Sequence, residues 1–249
     1  MIDERIASRR NDVRAERKRA RLRRTVRALV LGVLLAGLFV LERSPLVALE
    51  EIRVQGTERL ESSEVVEASM LKFGTSTLRL RLRGAERAIE ALPLVREASA
   101  RRIDPLKIEI QVEERTPALQ IRGAGVNAIA DRDGVIILRG VATGVPEVWL
   151  PVAPPKPGDT VAEDVALANA YLVWRSLSGP LRGRVYRYVA AGPDELSLML
   201  IDGIEVRFGR AERIDEKVRA LGAVLADVTG TDVAVIDVRA PRAPVVALQ

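Results

Sequence analysis

The sequence predicts an α+β protein: one transmembrane helix, a small domain of order strand-helix-helix-strand-strand, then a mixed β-rich domain with two helices. Three observations predict it. A run of fourteen apolar or small residues, Ala28 to Leu41, follows an arginine-rich tail. Residues 49–113 then alternate between two-residue and 3.6-residue apolar periods. The second half reads as short strands around turn dipeptides, interrupted by two amphipathic helices. The implied divisions are a basic tail (1–27), a span (28–47), a first domain (48–117) and a second domain (118–249).

The tail carries ten arginines and one lysine against Asp3, Glu4, Asp12 and Glu16, a net charge of +7. Because the whole chain is +5, the other 222 residues sum to −2. A leader peptide fits poorly, since the charged region is long and no small-x-small cleavage site follows the run cleanly. A soluble helix fits poorly too, because the run is apolar on every face. Fourteen residues rise about 21 Å against a hydrocarbon layer of about 30 Å. Thr25, Val26 and a snorkelling Arg27 at one end, with Glu42 to Val47 at the other, close most of that gap. The run therefore reads as one uncleaved span. The positive-inside rule keeps the tail cytoplasmic and exports residues 45–249. The tail reads as a topology signal with some attraction to membrane lipid; with no aromatic interleaving or nucleic-acid motif, no nucleic-acid partner is expected.

In the first domain, Leu49 to Val54 alternates and stops at Gln55-Gly56, a strand and turn. Ser62 is placed to cap a helix in which Val66 and Met70 share a face. Ala85, Ala88, Ile89 and Leu92 fall on one face of a second helix, ended by Pro93. Val95 to Arg102 is a strand, Asp104-Pro105 a turn, and Lys107 to Glu113 a strand with Ile108, Ile110 and Val112 on one face. A three-stranded sheet with both helices on one face buries these stripes.

In the second domain, Asn127 to Leu138 reads as a hairpin around Asp133-Gly134, followed by a connection with Pro146, Pro151, Pro154, Pro155 and Pro157. Asp159 or Thr160 is placed to cap a helix lined by Leu167, Ala170, Tyr171, Trp174 and Leu177. Strands follow at Arg184 to Ala190, Glu195 to Ile201 and Ile204 to Phe208. A helix from Ala211 to Asp227 then buries Ile214, Val218, Leu221 and Leu225, and the chain closes with VAVIDVRAPRAPVV.

Cysteine and histidine are both absent, which excludes disulfides, thiolate chemistry, Cys/His metal sites and histidine proton shuttles. No cofactor and no metal is expected, and no phosphate loop is present. Asp131 and Asp133 are a conceivable carboxylate pair, but two aspartates in a hairpin loop are ordinarily turn residues. The closing strand Val233 to Val238 is more informative. Pro241 and Pro244 cannot donate to a sheet ladder and point to an edge. That edge either blunts aggregation or accepts a strand from another chain, and the residues alone leave both open.

The run from IRVQGTERLESSEVV through LPLVREASARRIDPLKIEIQVEERTP resembles a POTRA domain of the cell-division kind. The matching pieces are the I-x-V-x-G entry, L-P-x-V-x-x-A, the arginine-turn-proline hairpin and the closing E-R-x-P. VRFGR, then Lys217 in a helix, then I-D-V-R-x-P are similar to the C-terminal signature of the FtsQ/DivIB family, so the resemblance covers roughly residues 20–246. It implies a non-catalytic scaffold at the division septum, in the cell inner membrane as a single-pass protein. That scaffold recruits and regulates septal peptidoglycan-synthesis partners through POTRA contacts and C-terminal strand addition. The implied partners are bitopic division proteins of the FtsB/DivIC and FtsL types and other divisome membrane proteins. Ile236, Asp237, Val238 and Arg239 match the family's strand, and Ala240, Pro241, Val245 and Val246 fall in its interaction edge. An aromatic stretch that follows the arginine in some relatives is replaced here by Ala240-Pro241. Two other readings remain. A POTRA-containing transport or assembly component would need a barrel, and only 132 residues follow Pro117. A membrane-tethered wall hydrolase would need a partner acid that the sequence does not single out.

Overall fold

The structure, a computed structural model, describes residues 26–40, 45–228 and 232–248. The tail up to residue 25 and residues 41–44 of the expected span lie outside the described residues. Residues 26–40 form a helix, α1, exposed along its whole length. Among the described residues no helix is long and apolar enough to cross a membrane by itself. A 3-10 turn, Pro45–Val47, leads into the first domain, where Val47 is already buried.

The first domain runs β1 (Glu51–Gln55), α2 (Ser62–Ala68), α3 (Leu82–Glu90), β2 (Val95–Asp104) and β3 (Lys107–Glu114). The sheet order is β1-β3-β2, with β3 parallel to β1 and antiparallel to β2. Alternation in β3 puts Ile108, Ile110 and Val112 into one apolar cluster with Val65 of α2 and Ile89 of α3. Both helices therefore cover the same sheet face, and each fully buried aliphatic side chain contributes roughly 1.5–3 kcal/mol. Gly56 turns the chain out of β1 at φ +84, where an added Cβ would sit 2.1 Å from the Val112 carbonyl oxygen. Asp104 accepts the N–H of Leu106 at 2.8 Å and so makes the β2–β3 turn.

Two local expectations are corrected here. Ser62 is the first helical residue and makes no side-chain cap; Glu61 precedes it with extended dihedrals. The buried residue of α2 is Val65, whereas Met70 lies beyond the helix at φ 54 and is exposed. The helix spans only seven residues, too short for Val66 and Met70 to form a stripe.

The second domain contains β4 (Leu119–Gly123), β5 (Val126–Ala130), β6 (Ile136–Arg139), β7 (Glu147–Leu150), α4 (Val165–Ser176) and α5 (Gly179–Arg184). It continues with β8 (Val185–Gly192), β9 (Glu195–Leu200), β10 (Glu205–Arg207), α6 (Ile214–Asp227), β11 (Val233–Asp237) and β12 (Val245–Leu248). All nine strands join one sheet in the order β12-β11-β10-β9-β8-β7-β4-β5-β6. Helices α4 and α6 share a single apolar cluster with the inward side chains of that sheet, Tyr188, Phe208 and Ile236 among them. The expected two helices become three, because Gly179-Pro180 opens the six-residue α5. The cap of α4 is Asp164, accepting from the Leu167 N–H at 2.8 Å; Thr160 instead caps a 3-10 turn, and Asp159 accepts from the Lys156 N–H.

The domains meet at Arg115, just past β3. Its Nε donates to the Val95 carbonyl, and its Nη1 lies 2.6 Å from Asp131 and 3.4 Å from Asp133. Asp131 is buried and also accepts the N–H groups of Asp133 and Val135. Asp131 thus holds the hairpin turn, and both carboxylates contact Arg115 across the junction.

Candidate functional site at the C-terminal sheet edge

A strand edge is a candidate docking site only if its backbone groups are uncovered. The other end of the nine-stranded sheet is closed. Outside β6, the Gly158 N–H donates to the Ile136 carbonyl at 2.8 Å, and the Ile136 N–H to the Asp159 carbonyl at 2.9 Å. Arg139 adds a bond to the Pro154 carbonyl. In the first domain, Glu86 and Glu90 of α3 accept the N–H groups of Ala100 and Ala98 on β2. Beyond β12, among the described residues, no strand follows.

The predicted site residues divide into two groups. Ile236 and Val238 are buried in the core, and β11 lies between β10 and β12. Val206 pairs with Ile236 on one side and Val246 with Ile236 on the other. Asp237 faces the opposite way and grips Arg239, at 2.9 Å to Nε and 2.6 Å to Nη2, while also accepting the Arg239 N–H. That guanidinium bond holds the Asp237 carboxyl below its ordinary range despite partial burial. These four residues build the floor under the edge.

The other group makes the turn and the edge itself. Pro241 and Pro244 lie in the turn, closed by the Ala243 N–H to the Ala240 carbonyl at 3.0 Å, rather than within a strand. Pro241 is buried and Ala240 exposed. The chain reverses here, and β12 returns antiparallel to β11 with Asp237 opposite Val245 and Val235 opposite Ala247. Val246 packs partly against the core, whereas Val245 is 64% exposed and Leu248 63%. Ala247 and Leu248 belong to this edge but were not singled out in the sequence. The apolar quartet VVAL directly after Pro244 is the signal that marks them.

Lys217 braces the sheet two strands in from the edge. Its buried Nζ donates to the Phe208 carbonyl at 2.9 Å and the Arg210 carbonyl at 2.8 Å, pinning α6 to the segment that leaves β10. Burial, and then the nearby Arg213, push its pKa below the usual lysine value. The Val238 N–H donates to the Arg207 carbonyl at 3.0 Å, extending the β10–β11 contact to the turn. The clamp, the floor strand and the return strand thus present a preformed, one-sided backbone edge.

Two family models match the chain in succession. Residues 47–115 match the family model for the POTRA domain, FtsQ-type, and residues 119–239 match that for cell division protein FtsQ/DivIB, C-terminal. Over 235 residues the chain is 31% identical to a cell division protein FtsQ of Streptomyces collinus, covering 90% of this chain and 88% of that protein. It is 28% identical over 233 residues to a cell division protein FtsQ of Mycobacteroides abscessus, covering 89% of this chain and 70% of that protein. The chain therefore belongs to the FtsQ/DivIB family of cell-division proteins.

Proposed function

We propose that this chain is a single-span, non-catalytic scaffold of the divisome. Its tail lies in the cytoplasm and its two folded domains lie outside the membrane at the division site. There it recruits and regulates septal peptidoglycan-synthesis partners by accepting a strand at β12, with FtsB/DivIC- and FtsL-type bitopic proteins as the expected donors. One observation carries the reading: no described residue covers the outer edge of Val245–Leu248, at the end of a sheet whose opposite end is closed. Main-chain hydrogen bonds then supply affinity, and the exposed Val245 and Leu248 side chains add apolar contact. The span rests on the all-apolar faces of α1 and on the arginines before it.

The absence of native cysteine makes the test direct. Single cysteines at Val245, Ala247 and, as a remote control, Val141 are introduced into the full chain and cross-linked to a co-expressed FtsB/DivIC-type partner. Cross-links at Val245 and Ala247 but not Val141 are expected. Equal yields at all three positions would rule out strand addition at β12. A midcell band from a fluorescent fusion, and a C-terminus open to protease from outside, check the site of action and the topology separately.

A further inference from the structure

The first domain has two ends, and its topology sorts them. β1 leads away from the point where the chain enters, α2 returns, α3 leads away, β2 returns and β3 leaves toward the second domain. The entry end therefore gathers residues 45–50, the 69–83 connection between α2 and α3, and the β2–β3 turn. This end is tightly fastened. Leu49 N–H donates to the Thr75 carbonyl, Gly74 N–H to the Leu49 carbonyl and Thr77 N–H to the Val47 carbonyl, all within 2.8–2.9 Å. Thr77 Oγ1 donates to the Pro105 carbonyl at 2.7 Å, and Arg102 Nε to the Thr77 carbonyl at 2.6 Å.

From this base apolar side chains project outward. Met70 is 79% exposed and Phe73 60%, and Leu46 and Leu78 are also mostly exposed. Met70 takes a left-handed backbone conformation (φ 54), unusual for its type and a cost sustained where the fold gives no burial in return. Around them lie Lys72, Arg79, Arg81 and Arg83, and residues 69–84 contain no acidic side chain. The carboxylates at this end are Glu50, Glu51, Asp104 and, in the last turn of α2, the exposed Glu67. Of these, Glu51 is bound to Arg53 and Lys107, and Asp104 accepts the Leu106 N–H. The same end is joined to α1 by a short segment: from residue 40 to residue 45 the chain reaches at most about 18 Å.

We infer that this end of the first domain is a membrane-resting surface, with Met70, Phe73 and Leu78 entering the headgroup layer and Lys72, Arg79, Arg81 and Arg83 meeting anionic lipid phosphates. Apolar tips within a basic surround are the chemistry of an interfacial anchor, and a water-exposed cluster of this kind otherwise has no stabilising surroundings. Lipid is the occupant because the apolar α1 leaves from this face and because the 69–84 connection that carries the apolar tips bears only basic charge. The inference rests on the single-span reading. Its consequence is geometric: the domain stands on the bilayer instead of swinging from a tether, which fixes the height of the β12 edge.

The test uses the full chain in nanodiscs of uncharged phosphatidylcholine, or of the same lipid with phosphatidylglycerol. An environment-sensitive aromatic probe is attached to a single cysteine at Phe73, Leu35 or Val141, and lipid-borne quenchers report contact. Quenching at Phe73 and Leu35 but not Val141, stronger in the anionic discs, is expected. In a Lys72→Glu/Arg81→Glu/Arg83→Glu variant the docked-to-undocked ratio should fall by at least about fivefold for each reversed residue, the factor equivalent to roughly 1 kcal/mol per basic residue lost near an anionic surface, with repulsion of the new carboxylate added to it. Quenching at Leu35 without Phe73 overturns the inference and leaves the span intact. Loss at Leu35 overturns the span, and the inference with it. Equal Phe73 quenching in both disc types overturns the assignment to anionic lipid.

Discussion

Arg115 and Asp131 lie 2.6 Å apart across the junction of the two domains, with the aspartate almost wholly buried. The arginine also holds the Val95 carbonyl, so one guanidinium ties the end of the first sheet to the first hairpin of the second. Removing one member of a buried pair costs about 3 kcal/mol because the other is left without its counter-charge. Arg115→Ala should therefore lower stability by about that amount. It should also split a single thermal transition into two, read by calorimetry. A single transition at the wild-type temperature would show that the contact does not couple the domains.

Val245 and Val246 are neighbours on β12 with opposite surroundings, one exposed and one packed on the core. Val245→Lys should leave the melting temperature near wild type, within about 0.5 kcal/mol, and weaken partner co-purification, since lysine on an edge strand opposes pairing. Val246→Lys should cost about 2 kcal/mol and weaken co-purification only in proportion to unfolding. Equal effects of the two on stability would contradict the alternation.

The legible part of the fold was the part with local periodicity. Ile108, Ile110 and Val112 alternate within one strand, and Ala85 and Ile89 repeat within one helix, with Leu92 just past its end, so the first domain could be ordered from its own residues. β4 and β7 gave no such signal. β7 has four residues between Pro146 and Pro151, yet it is a central strand paired in parallel with β4 and β8. Its place depends on pairing with residues far away in the chain. The edge was half legible. Two prolines marked the right region, but they bend the chain back on itself, and the strand they were expected to occupy begins at Val245.

Lys217 fastens α6 to the segment that leaves β10 through two carbonyl acceptors, Phe208 and Arg210. Lys217→Met should leave both without that donor and cost about 2 kcal/mol by denaturant unfolding. Burial, then Arg213, lowers the native pKa below 10.5. The unfolded chain thus holds this proton more tightly, and between the lowered native value and 10.5 the contribution of the group to stability rises with pH. The difference between wild type and Lys217→Met should grow in that direction. A constant difference over the range would contradict it.

Glu114 closes the top of the first domain by accepting the N–H groups of Glu58, Arg59 and Leu60. Burial by itself would raise its pKa, but the three backbone donors outweigh burial and hold it below 4.5. Folding favours the ionised form, so its contribution is complete above the ordinary carboxylate value and is lost as pH falls through the native one. Glu114→Gln should cost about 1–2 kcal/mol at pH 7 and flatten the loss of stability in acid. An acid profile parallel to wild type would remove Glu114 from that role.

The uncovered rim at β12 is made of peptide groups, and peptide groups are the same in every chain. Two copies brought close enough would zip rim to rim and occupy the place of the proposed partner strand. Self-pairing then competes with the proposed partner strand, and the balance between the two shifts with the concentration of this chain.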